Sequence, residues 1–206
     1  VYRGRMAQDQ VSVKQVAPVI FNTPFYNNEQ GNYRRYYLRC SEDKIIDRIV
    51  GFIKENVHPG VEKIYWDDEA RRFKVADVGL PRAVDLSQYG EGMQRVFLLA
   101  LLFASASNGV VLVDELENAI HPRLLGSFTA LVAKLAKEFS VQVFATTHSK
   151  ECIDGFVEAC RTGAQDDFAF IGLVNAPDNV RSARVFSGRQ YVEACDLADV
   201  DLRGVV

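Results

Sequence analysis

The sequence has no C-x-x-C pair, no internal repeat, no low-complexity tract and no apolar run of membrane-spanning length. Its four cysteines, Cys40, Cys152, Cys160 and Cys195, are widely scattered, which argues against a zinc site or a disulfide framework and suits a reducing cytosol. The longest apolar run, Val96 to Ala104, falls far short of the roughly 20 residues a transmembrane helix needs. The chain opens polar and charged (VYRGRMAQDQ), without the apolar core of a secretory leader. A net charge of -3 gives no overall field that would draw the chain onto nucleic acid or an anionic membrane, so any such binding must be local. The expectation is a cytoplasmic chain with no membrane partner.

What is present is apolar content for a core: 48% of the 206 residues are hydrophobic, which fits one globular body. Val16 to Phe21 (VAPVIF) reads as a short strand, followed by the turn-rich stretch NTPFYNNEQGNY. Ile45, Ile46, Ile49, Phe52 and Ile53 recur at helical spacing, with Ser41 as N-cap and His58-Pro59-Gly60 as the stop. Val61 to Trp66 and Arg72 to Val78 flank the acidic turn Asp67-Asp68-Glu69 and predict a hairpin, with Trp66 in the core. YRRYYLR, residues 33 to 39, interleaves arginines with Tyr33, Tyr36 and Tyr37. It reads either as a track for a nucleic-acid backbone or as one solvated face of an amphipathic element.

Past residue 86 the pattern alternates: helix 91–106, strand 109–114, helix 122–139, strand 141–146 and helix 149–161. The two strands, GVVLVD and VQVFAT, are mostly apolar, as strands covered on both faces by helices must be. They are expected side by side in a parallel sheet, with helix 122–139, opened by Pro122, as the crossover. The end reads as a hairpin (FAFIGLV, NAPDN, VRSARVFS) and a short helix from Arg189 to Leu197.

The strongest chemical signal is GVVLVDELENAIHP, residues 109 to 122. Four aliphatics carry Asp114-Glu115 to the carboxyl end of a buried parallel strand, where open α/β sheets place their ligands. Adjacent side chains diverge there, so one carboxylate can hold Mg2+ while the other faces an attacking water. The same residues also fit a strand ending in a solvated acidic turn. ATTHS, residues 145 to 149, brings His148 to the same edge, where an imidazole can donate to a transferring phosphoryl oxygen. Thr146, Thr147 and Ser149 are equally suited to cap the next helix. In LSQYGEGMQR, residues 86 to 95, Gly90 and Gly92 allow close backbone approach, and Ser87 adds a hydroxyl before a helix whose amino end favours an anion. Alone, this stretch also reads as a glycine-rich helix entry with Glu91 as a first-turn acid.

Taken in order, these motifs resemble the ATP-binding-cassette-type ATPases, and more narrowly the soluble AAA-type branch related to overcoming-lysogenization-defect, SMC and RecF proteins. The resemblance rests on LSQYGEGMQR as the signature, VVLVDE as Walker B, LENAIHP as the D-loop and VFATTHS as the His switch, and it is close over about residues 80 to 162. It implies a P-loop NTPase-like α/β fold, a three-layer parallel sheet with flanking helices, plus a small hairpin appendage. Residues 1–80 would then be a linker with a helical and hairpin insertion, and 81–206 the core half of the head. It further implies that Asp114 helps coordinate Mg2+, Glu115 polarises the lytic water and His148 contacts the γ-phosphate of ATP. Glu117 and Asn118 would form the D-loop at a subunit interface. Ser87, Gly90, Glu91 and Gly92 would touch the nucleotide held by a second head, making a homodimer or a second ATPase head the expected partner.

One element of the family pattern is missing, because no G-x-x-x-x-G-K-[ST] loop occurs anywhere in the chain. The cradle for the β-phosphate and its lysine are therefore absent. With Val as first residue, the expectation is the C-terminal half of an ATPase whose P-loop-containing N-terminal half lies elsewhere, the chain alone being inactive. Two rivals follow: a non-catalytic, cassette-shaped interaction module, and an ATPase subunit working with a nuclease or nucleic acid in defence or DNA repair. The stretch after Thr162 is too short to hold a nuclease domain itself.

Overall fold

Alternating and helical hydrophobic periods become, in chain order, β1 (Val19–Asn22), α1 (Gln30–Glu42), α2 (Ile45–Asn56), β2 (Val61–Asp67), β3 (Arg72–Asp77) and β4 (Val84–Asp85). A 3-10 turn over Leu86–Tyr89 leads into α3 (Glu91–Ser105), β5 (Val110–Val113), α4 (Pro122–Glu138), β6 (Gln142–Ala145) and α5 (Lys150–Ala159). The chain closes with β7 (Ala169–Asn175), β8 (Arg181–Ser187) and α6 (Gly188–Leu197). This computed structural model describes residues 17–22, 30–42, 44–164, 166–175 and 181–197. Val16, the turn stretch at 23–29 and most of the NAPDN turn lie outside the described residues.

The fold is α/β, with a parallel sheet in the order β1-β5-β6 and flanking helices. The two apolar strands pair as expected, and α4 is the crossover between them. His121 caps α4 by accepting Arg123 N–H on its Nδ1 at 3.2 Å, with Pro122 pre-set for the first turn. β1 comes from the first eighty residues but is an edge strand of this core sheet, in register Val19 to Val110. The hairpin β2–β3 is extended by β4, and β7–β8 form a separate two-stranded sheet backed by α6.

Burial explains why α3 reads as an unbroken apolar run. Val96, Phe97 and Leu99 to Ala104 are all buried, because sheet, α1, α2 and α4 leave this helix almost no solvent face. Along the sheet, Ile20, Val111 and Val113 belong to the main core. The alternate positions Val19, Phe21 and Phe144 are 60%, 55% and 51% exposed. The expected covering of both sheet faces is thus met on one side only by the described elements.

The segment from 30 to 44 differs from the sequence reading. Residues 30–42 form a helix rather than continuing a turn-rich stretch, and Ser41 lies inside it, donating its hydroxyl to the Leu38 carbonyl at 2.9 Å. The cap position of α2 is Lys44, in the left-handed region at φ 56°. Tyr33 and Cys40 are buried, and Tyr36 and Tyr37 pack against the core, at i, i+3, i+4 and i+7. The three tyrosines therefore serve packing, while Arg34 pairs with Asp68 at 2.6 Å. Trp66, expected in the core, is half-buried, edge-on to Phe73 with ring centres 5.0 Å apart. Among the described residues no helix is long and apolar enough to cross a membrane.

Candidate functional site

In-register pairing ends β5 and β6 at the same level, Val113 opposite Ala145. The residues that follow, Asp114-Glu115 and Thr146-Thr147-His148, therefore share the carboxyl edge of the sheet. Thr146 closes this edge: its hydroxyl donates to Asp114 Oδ1 at 2.5 Å and accepts the Glu115 N–H at 2.9 Å. Its carbonyl accepts Leu116 N–H, also at 2.9 Å. Glu115 adopts φ 49°, unusual for a residue with a side chain, and the turn leaves that side chain exposed while Asp114 is half-buried. Strain of this kind, about 1–3 kcal/mol, persists where surrounding bonds over-determine it, as the Thr146 contacts do here.

Glu117 and His148 are joined through the backbone. Glu117 Oε1 accepts the His148 N–H at 2.7 Å, while Oε2 is buried with no hydrogen-bond partner among the described residues. The carboxylate expected at a subunit boundary is thus engaged within the chain, and it fixes the loop that presents the exposed His148 ring. Asn118 sits half-buried in the turn beyond, its N–H donating to the Glu115 carbonyl at 3.0 Å. The two readings of ATTHS divide between residues. Ser149 caps α5 by accepting Cys152 N–H at 3.1 Å, and Thr147 accepts Ser149 N–H, whereas Thr146 belongs to the acidic pair.

The edge offers oxygen donors suited to a hard cation that keeps phosphate and water ligands: Asp114 Oδ2, the oxygen not bonded to Thr146, and the exposed Glu115 carboxylate. Among the described residues no cluster of three or more His, Cys, Asp or Glu is arranged to enclose a metal by itself. The residues fit a Mg2+ shared with a phosphorylated ligand, not a protein-enclosed ion.

The glycine-bearing stretch 86–95 lies beside this edge. Leu86 is buried and anchors the 3-10 turn, leaving Ser87, Gly90 and Glu91 exposed and Gly92 half-buried. Gly90, at φ 82° and ψ 166°, makes the sharp entry to α3 that a side chain would strain. Gly92 is required for contact: a Cβ there would sit 2.9 Å from the Ala119 carbonyl oxygen. The first turn of α3 therefore rests directly on the turn that follows the acidic pair. Ser87 and Gln94 also line an open groove of about 820 Å³ with Arg34, Arg71 and Trp66.

Sequence reasoning passed over Arg95 and Asn22. Arg95 is 1% exposed and donates to Asn22 Oδ1 at 2.5 Å and to the Glu115 carbonyl at 3.1 Å. It ties α3 to the ends of β1 and β5 at once. Burial lowers its pKa to about 10, opposed by the nearby charges of Glu117 and Glu115. Its signal in the sequence is a lone charge ahead of the run VFLLALLFA. All four cysteines are free thiols, and burial pushes Cys152 up to about 11.

Residues 30–154 match a family model described as "AAA domain, putative AbiEii toxin, Type IV TA system". The uncharacterized protein MJECL11 of Methanocaldococcus jannaschii is 33% identical over 124 residues, covering 56% of this chain and 99% of that protein. An ATP/GTP phosphatase of Helicobacter pylori is 32% identical over 101 residues, 48% of this chain but only 26% of its own length. The Smc head domain of Pyrococcus furiosus, solved with an extended coiled coil and bound to the C-terminal domain of ScpA, superposes with a TM-score of 0.51 at 15% identity. That superposition covers 82% of this chain and 40% of the other, and it shows a common α/β fold.

Proposed function

The chain belongs to the AAA domain family whose model spans residues 30–154, and from that premise we propose that it is the signature and Walker B portion of an ABC-type ATPase head. The head binds ATP and hydrolyses it with Mg2+ once joined to a P-loop-bearing half and paired with a second head. Residues 81–206 form the core half of that head, joined in its sheet by β1 from the first eighty residues, which were expected to be linker and insertion alone.

The observation that carries this reading is the shared edge of β5 and β6, where Thr146 bonds both members of the acidic pair beside the loop of His148. Bound Mg2+ would neutralise charge building on the transferring phosphoryl group. Asp114 supplies the anionic oxygen that holds the cation. Glu115, exposed beyond it, orients and polarises the attacking water. His148 donates to the γ-phosphate, its position set by the Glu117 carboxylate on its N–H. Ser87, Gly90, Glu91, Gly92 and Asn118 face the nucleotide of the neighbouring head.

The need for a second half is supported by the sheet itself. Among the described residues no strand pairs with the outer edge of β6, and Phe144 on it is 51% exposed. Parallel strands are stable when buried on both faces, so an edge and face of this kind suit a further strand and helix. The test is Glu115→Gln in the full-length protein: ATP turnover falls at least about a hundredfold while ATP still holds a dimer. Turnover equal to wild type contradicts the role given to Glu115.

A further inference from the structure

The carboxylate of Asp77, the last residue of β3, is buried at 8% exposure although it lies outside the edge described above. Oδ1 accepts the Gly79 N–H at 2.8 Å; Oδ2 accepts the Tyr89 hydroxyl at 2.8 Å and bonds His58 Nε2 at 2.7 Å. Backbone is shaped around it, since a Cβ on Gly60 would fall 2.7 Å from Oδ1. The loop 58–60, the end of β3 and the signature thus converge on one side chain. Tyr89 is the last residue of the 3-10 turn, immediately before Gly90 and the first turn of α3. Its ring also meets His58, with centres 5.3 Å apart.

We propose that Asp77 is a positioning residue for the signature segment, holding Tyr89 so that Gly90 and the amino end of α3 point outward in one fixed geometry. Gly90 needs such a tether. It sits at φ 82° with nothing within 4 Å of its Cβ direction, and its N–H makes only a long bond of 3.4 Å to the Ser87 carbonyl. A glycine joint with so little local support takes its orientation from its neighbours. On one side that neighbour is α3, locked by Arg95; on the other it is Tyr89, locked by Asp77. The β2–β3 hairpin, which carries no chemistry of its own, thereby sets the aim of the signature. The catalytic consequence rests on the proposed ATPase role, but the tether itself does not.

Two measurements keep these apart. Tyr89→Phe removes one hydroxyl and keeps the ring; amide hydrogen exchange at residues 90–93 is expected to quicken, with thermal stability nearly unchanged. In the full-length protein the same change lowers kcat about tenfold, with KM for ATP within about twofold. Asp77→Asn, which keeps an acceptor oxygen for Tyr89, recovers most of the rate that Asp77→Leu loses. Unchanged exchange at 90–93 in Tyr89→Phe overturns the proposal whatever the enzyme does. Wild-type turnover in Tyr89→Phe alongside an inactive Glu115→Gln overturns it while sparing the ATPase reading. A loss of rate matched by a loss of folded protein also overturns it, leaving the bond a stability contact only.

Discussion

Arg95 joins three elements of the site, α3 and the ends of β1 and β5. A buried guanidinium is tolerated because its donors meet Asn22 Oδ1 and the Glu115 carbonyl, with Glu117 close enough to oppose the loss of hydration. Arg95→Met keeps much of the volume but strands both acceptors, and it should destabilise the fold by about 2–4 kcal/mol, read from the urea midpoint at constant m. Arg95→Lys has no planar fork to reach both acceptors and should lie between. Asp77 makes a different prediction. The Gly79 N–H, the Tyr89 hydroxyl and His58 hold its carboxyl below the ordinary 3.8. The unfolded chain therefore binds this proton more readily than the folded one, so the group's contribution is full above about pH 4 and drains as pH falls through the depressed value. Urea titrations from pH 5 downward should show a shallower acid loss in Asp77→Asn than in wild type. Legibility at this scale was uneven. Asp114, Glu115 and His148 could be placed on one edge because the apolar runs GVVLVD and VQVFAT fix where their two strands end. Arg95, Asn22 and Thr146 act through contacts 20 to 73 residues away along the chain, which no local pattern records.

Element by element, the helices and strands past residue 86 fall close to where hydrophobic period puts them, because each has one dominant buried stripe or alternation. Ahead of residue 86, α1 departs from the sequence reading, because its opening Gly31 and Asn32 close an asparagine-rich stretch that suggested turns. Its stripe Tyr33, Tyr36, Tyr37 and Cys40 has helical spacing, but aromatic side chains flanked by arginines equally fit a binding surface, and burial against α3 decided the matter. Close approach between helices was likewise invisible in the sequence. At the crossing of α4 and α5 a Cβ on Gly155 would lie 2.3 Å from Thr129 Oγ1, whereas one on Gly126 meets nothing within 4 Å. Gly155→Ala should therefore cost about 1–3 kcal/mol, by overpacking and by forcing Thr129 from its rotamer. Gly126→Ala, exposed within α4, should add about 0.5–1 kcal/mol. Thermal or urea unfolding of the two variants side by side checks both signs.

At the scale of the whole molecule, two surfaces ask for company. One is the outer edge of β6 with the face bearing Val19, Phe21 and Phe144; the other is the exposed rim of Ser87, Gly90 and Glu91 at the start of α3. In the proposed ATPase head the first would take the half that carries a phosphate loop, and the second another head. The fold class was legible because βαβ alternation leaves few alternatives. The open face was not, because it depends on what covers the sheet and not on the strands themselves. The central claim, that the edge of one head works with the signature of another, is tested by mixing two full-length variants, Glu115→Gln and Ser87→Arg at the exposed start of the signature, each inactive alone. Composite sites predict recovery to about a quarter of wild-type ATP turnover, since about half the dimers are mixed and each keeps one intact site of two. A mixture as inactive as its two components would contradict the account.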